Sequence, residues 1–178
     1  VNAFLKISDL SNIDNAIYTG YVEGNNLDIS KFINFKSIGR SNFKFDINGR
    51  GFTSEYLDSQ VTGNIEDISF NNQILKKIEI FGQVKDQVFD GKLTLNDPNL
   101  KLDFNGLIDY SNDLIDFDFN SSIKFANLFN LGFNDNGILN GDFIVKLRGN
   151  NMKDLIGDLT LQKIKYQNID RTIEFKDL

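Results

Sequence analysis

Between Val61 and Ile123 one pattern is written five times: VTGNIEDISF (61–70), KIEIFGQV (77–84), VFDGKLTL (88–95), LKLDFNGLIDY (100–110) and LIDFDFNSSI (114–123). In the third segment Phe89, Leu93 and Leu95 alternate with Asp90, Lys92 and Thr94. In the fourth, Leu100, Leu102, Phe104 and Ile108 alternate with Lys101, Asp103, Asn105 and Asp109. In the fifth, Ile115, Phe117 and Phe119 alternate with Asp116, Asp118 and Asn120. Ile65 in the first segment and Ile78 and Ile80 in the second carry the same rule. A period of two places alternate side chains on opposite faces of a strand, so each segment reads as a strand with one dry side and one wet side. Connections of a few residues between such strands imply an antiparallel meander.

The flanking sequence extends the sheet. An alternating start (Ala3, Leu5, Ile7) is followed by IYTGYVEG (17–24), with Tyr18 and Val22 on one face. Asn25-Asn26 reads as a turn, and Leu27 to Phe32 as a short helical turn that Ser30 can cap. RSNFKFDING (40–49) is a strand with Phe43, Phe45 and Ile47 inward; TSEYLDSQ (53–60) reads as a connection. Beyond Ile123, Ala126–Leu131 reads as a helical turn and GDFIVKLRG (141–149) as a strand with Phe143, Val145 and Leu147 inward. NNMKDLIG (150–157) reads as a turn. DLTLQKIKY (158–166), with Leu159 and Leu161, and RTIEFKDL (171–178) are the last strands.

The expected fold is all-β: an elongated, curved antiparallel sheet of about eleven strands with very short helical turns. Phe43, Phe45, Ile47 and Gly49 precede Phe143, Val145, Leu147 and Gly149 by one hundred positions, suggesting repeat units 1–100 and 101–178 of one β domain spanning 1–178. Gly20, Gly63, Gly82, Gly91, Gly106, Gly141 and Gly157 fall among the inward positions, where they let a broad sheet curl into a trough. A β-sandwich whose glycines make room for opposing rings satisfies the same pattern.

Composition narrows the function. The chain has 178 residues, 40% of them hydrophobic and 25% charged, which suits a folded domain. Its net charge of −6, with no basic cluster, argues against nucleic acid and against anionic membrane surfaces. It contains no Cys and no His, which removes thiol and imidazole chemistry and the commonest zinc ligands. Asp116 with Asp118, and Asp103 with Asp109, share faces, but on the wet side, where nothing would shift their pKa for acid–base work. Asn134-Asp135-Asn136-Gly137 and Asn96-Asp97-Pro98-Asn99 lack the spaced ligands of a calcium loop and read as turns. The chain is therefore expected to be no enzyme and to hold no metal or cofactor. No run is long enough to span a bilayer and no signal peptide opens the chain, so it reads as a piece of a longer protein.

The apolar face remains. With 17 Phe in the chain, it is either a closed core, the usual fate of such faces, or an open trough for hydrocarbon. Pattern alone favours the closed core.

The wording of the chain bears on that choice. GYVEGNNLDISKFINF (20–35), FDINGRGFTSEYLDSQVTGNIEDISFNN (45–72) and IEIFGQVKDQVFDGKLTLNDPNLKLDFNGLIDYSN (78–112) resemble the repeats of the TamB family of the AsmA-like superfamily, especially its Bacteroidota branch. SIKFANLFNLGF (122–133) and LRGNNMKDLIGDLTLQKIKY (147–166) continue the likeness. The resemblance implies a middle segment of a periplasmic protein anchored in the inner membrane, with an open apolar groove shaped like a folded taco. It implies phospholipid as cargo and an Omp85-family outer-membrane partner, reached through parts of the parent that this segment lacks. Its two implied roles are a lipid conduit and, alternatively, a scaffold or chaperone for outer-membrane protein assembly. The family brings no catalytic motif, so the groove lining rests on alternation alone: the inward positions named above, from Phe43 to Leu161.

Overall fold

In a computed structural model, which describes residues 1–9, 11–33 and 35–177, the chain is one antiparallel sheet. Its strands are β1 (Asn2–Ser8), β2 (Ile17–Asp28), β3 (Ile38–Arg50), β4 (Asp58–Phe70), β5 (Gln73–Lys85), β6 (Val88–Asn96), β7 (Leu100–Asp109), β8 (Asp116–Asn127), β9 (Ile138–Arg148), β10 (Ile156–Gln167) and β11 (Thr172–Asp177). One short helix, α1 (Ser30–Ile33), joins β2 to β3. The order in space is the order in sequence, and β1 and β11 are left as the two edges. The sheet is all-β and curved, and it is not closed into a barrel.

The exposed surface is that of an extended rather than a compact chain. The chain exposes 11052 Å², well above the roughly 8,800 Å² expected of a compact monomer of its mass.

Tight hairpins set the meander. Asn71-Asn72 (φ 49 and 64) and Asp86-Gln87 (φ 50 and 63) make two-residue turns with both residues left-handed, the geometry that matches strand twist. Asn adopts this conformation readily.

Curvature comes from small residues on the inner side. Gly82, Gly91 and Gly106 stand side by side on β5, β6 and β7. A Cβ on Gly91 would lie 2.5 Å from the Phe81 carbonyl oxygen and 2.7 Å from Gly82 Cα. At Gly106 it would meet the Asp118 carbonyl oxygen at 2.4 Å. Only hydrogen fits where neighbouring strands bend this closely together. The Phe89 ring lies over both Gly82 and Gly91 and covers the backbone they leave bare.

Several local readings change. Asn25-Asn26 is no turn: β2 runs through it to Asp28, and the pair forms a bulge where the register with β3 shifts between Gly24 and Leu27. Asp58, Ser59 and Gln60 belong to β4 rather than to a connection, because they pair with Arg50, Gly49 and Asn48. β9 starts at Ile138 and β10 at Ile156, both earlier than alternation indicated. Ala126 and Asn127 end β8, and the helical turn begins only at Leu128.

β2 and β8 share two features. β2 and β8 each span 12 residues, and each is followed by a short apolar connection. Their bulges fall at equivalent places, between Gly24 and Leu27 and between Ile123 and Ala126.

Replacing Gly91 with Ala tests the cause of curvature. The substitution should lower stability by about 1–3 kcal/mol through overpacking, read as a drop in the urea midpoint at unchanged slope.

Candidate functional site

The pairing register brings the expected positions onto one side. Phe43, Phe45 and Ile47 stand opposite Ile65, Gly63 and Val61, and Ile65 stands opposite Ile78. Ile78 and Ile80 face Leu95 and Leu93, which in turn face Leu102 and Phe104. Phe89 faces Ile108, and Ile108 faces Phe117. Phe117, Phe119 and Ser121 lead on to Leu147, Val145 and Phe143, and the last two to Leu159 and Leu161. Leu100 pairs with Ala126. Ile115 lies just before β8, almost fully buried, with its N–H donating to Asn150 Oδ1 at 3.2 Å.

Burial along that side is graded. Toward the end of the sheet that carries α1, Phe43, Ile65, Leu75, Ile78, Leu95, Leu100 and Ala126 form one buried cluster. The turn after β8 folds Leu131 into the same cluster at 4% exposure. Toward the other end of the strands the face is mixed: Ile47, Val61, Phe89, Ile108, Phe119 and Leu147 are partly exposed, while Tyr18, Ile115 and Val145 are buried. The partly exposed residues cross the strands as a band from β3 to β9. At about 4.8 Å per strand the band runs roughly 30 Å along the stacking direction. Leu159, on β10 beyond it, is 48% exposed.

Rings dominate the lining. Phe43 and Phe45 stack at 4.7 Å, and Phe104 and Phe119 meet at 4.6 Å. The phenols of Tyr18 and Tyr110 are raised above their ordinary value chiefly because burial penalises the phenolate. Both tyrosines report a low-dielectric environment.

Alternation missed part of this face. Leu75 is buried although it stands three positions from Ile78, because Lys77 (φ 59) opposite Glu66 resets the alternation. Phe35, 6% exposed, comes from the connection after α1, where no period exists to read. Not every ring points inward. Phe4, Phe32 and Phe81 are about two-thirds exposed, and Phe81 lies on the outer side opposite Lys92.

The outer side is polar and carries several ion pairs. Arg148 forks onto Asp116 at 2.6 and 2.7 Å, Lys163 meets Asp142 at 3.0 Å, and Lys146 meets Asp118 at 3.7 Å. Two open hollows lie on this side, of about 550 and 530 Å³; the first is lined by Lys92, Thr94, Asn105, Asn120 and Ser122 among others. Asp97 is buried, yet its carboxylate accepts the N–H groups of Lys76 and Asn99 at 2.9 and 2.7 Å, so it anchors a turn. Asp135 accepts from Gly137 N–H and from the Tyr166 hydroxyl. Among the described residues no three acidic side chains converge to hold a metal ion, and no helix is long and apolar enough to cross a membrane.

No family model, no curated protein and no solved structure matches this chain.

The ion pairs set an acid limit. The hydrogen bond from Arg148 holds the Asp116 carboxyl below its ordinary value, and those from Ser122 and Lys163 do the same for Asp142. A carboxylate with a lowered folded-state pKa stabilises the fold above its unfolded value of about 3.9 and loses that contribution as pH falls through the folded value. Acid titration followed by circular dichroism should therefore show stability falling below about pH 4. Arg148→Met with Lys163→Met should flatten that fall.

Proposed function

We propose that this chain is a lipid-conduit segment of the TamB type, carrying phospholipid acyl chains along its inner apolar face between the two membranes of a Gram-negative envelope. One observation carries the reading: a half-buried apolar band runs across the strands, along the stacking direction, on one side of an open sheet. Each methylene moved from water onto such a surface contributes about 0.8 kcal/mol, so a chain lying along the band is held without any polar recognition. Head groups stay in water at the open side. In this reading the protein works in the periplasm as part of an inner-membrane-anchored protein, and other parts of the parent reach the Omp85-family partner. Its action is passive, with no catalysis and no cofactor.

The unpaired edges favour a second reading. β1 and β11 present free backbone N–H and C=O groups, which can add a strand from another chain. A scaffold or chaperone for outer-membrane strands would use those edges rather than the trough. Crosslinks from β1 or β11 to client barrels would favour it.

Native mass spectrometry of the protein purified from cells that make both membranes should find bound phospholipid. Phe104→Asp, which places a charge in the middle of the inner face, should abolish that lipid. Asn105→Asp, on the same strand but the opposite side, should leave it unchanged. Equal lipid in both variants, at equal circular dichroism, would overturn the conduit reading.

A further inference from the structure

The trough is not empty along its whole length. After α1 the chain does not return directly to β3 but lays Phe35 against the inner side of the far wall. The Phe35 ring meets Phe117 edge-on, 5.4 Å between centroids, and Phe117 belongs to the inward register of β8. Lys36 N–H donates to the Asn150 carbonyl oxygen at 2.9 Å, and Met152 N–H donates to Ser37 Oγ at 3.2 Å. Asn150 and Met152 sit in the connection between β9 and β10, more than 110 positions away in sequence. Asn150 is itself anchored to the connection before β8, donating from Nδ2 to the Asp113 carbonyl oxygen at 2.6 Å. On the near side, the Ser37 carbonyl accepts Asn71 N–H at 2.8 Å, which ties the segment to the turn between β4 and β5.

Phe35, Lys36 and Ser37 therefore span from the β3–β5 wall to the β8–β10 wall. An acyl chain sliding along the inner face meets the Phe35 ring in its path. Among the described residues the far-side hold consists of two hydrogen bonds and the burial of the Phe35 ring, 6% exposed, against Phe117; it contains no strand ladder.

A second crossing lies in the connection after β8. The turn after β8 seats Leu131 in the core, and Asn71 Nδ2 donates to the carbonyl oxygens of Leu131 and Gly132 at 3.3 and 3.4 Å. The turn between β4 and β5 thus anchors both crossings, through the backbone of Asn71 in one case and its side chain in the other.

Resting on the conduit reading, we propose that Phe35–Ser37 is a displaceable gate: Phe35 fills the site of an acyl chain in the unloaded protein and must lift off Phe117 for lipid to pass. Lipid and gate compete for one surface, so loading measures the fraction of molecules with the gate open.

The chain has no Cys, so Ser37→Cys with Met152→Cys introduces a single possible disulfide that locks the gate shut. The full chain would be mixed with vesicles of phosphatidylethanolamine and phosphatidylglycerol containing a trace of acyl-labelled phosphatidylethanolamine, and the label transferred to protein counted. The oxidised form should load about tenfold less than the same protein after reduction, as expected when the competent fraction falls by that factor. Phe35→Ala should load more than the unaltered chain. Equal loading of oxidised and reduced protein would overturn the gate while leaving the conduit standing. Absence of loading in every form, the reduced and Phe35→Ala proteins included, would bring down both.

Discussion

A single sheet with one apolar side has no second layer to cover it, and the structure follows from how that side is kept from water. Each strand places its Phe, Ile, Leu and Val residues on the same side as its neighbours, so the oily surface grows with every strand added. Curling is the available remedy. The glycines at 82, 91 and 106 make it possible by letting adjacent backbones approach within distances that no Cβ tolerates. The bend brings the inner residues of neighbouring strands together, and the Phe89 ring lies over the bare backbone at the bend.

Curvature alone covers only part of the surface. Where the short connections fold inward, the face is buried and behaves as an ordinary hydrophobic core around Ile78 and Leu95. Where they do not, residues such as Ile47, Val61 and Phe89 are left partly exposed. One surface is thus buried around Ile78 and Leu95 and partly exposed around Ile47 and Phe89, with Ile115 and Phe117 covered by the segment that carries Phe35. The charged side takes no part in this. A few of its carboxylates pair with cations on adjacent strands, as Asp116 does with Arg148, and add a modest acid sensitivity.

Much of this was legible because a period of two is a local property. Phe104 and Asp103 point to opposite faces simply because they are neighbours on an extended chain, and the pairing register lines up the alternating residues of adjacent strands from β3 to β9. The alternation failed where an extra residue resets it. The bulge at Asn25-Asn26 looks like a turn from composition, and Leu75 looks misplaced until the left-handed Lys77 is known. Phe81, next to Ile80 on an extended strand, points outward into water as its parity requires. Phe35 and Leu131 lie in connections, where no repeat exists to announce which way a side chain turns.

By itself, the sequence determined the secondary structure, the antiparallel order and the identity of the oily side, because these depend on residues no more than a hairpin apart. Only the tertiary structure decided how far that side is covered and by what. Coverage depends on meetings such as Phe35 with Phe117 and Ser37 with Met152, between segments 82 and 115 positions apart whose approach follows from accumulated twist and curvature. No local pattern encodes that sum.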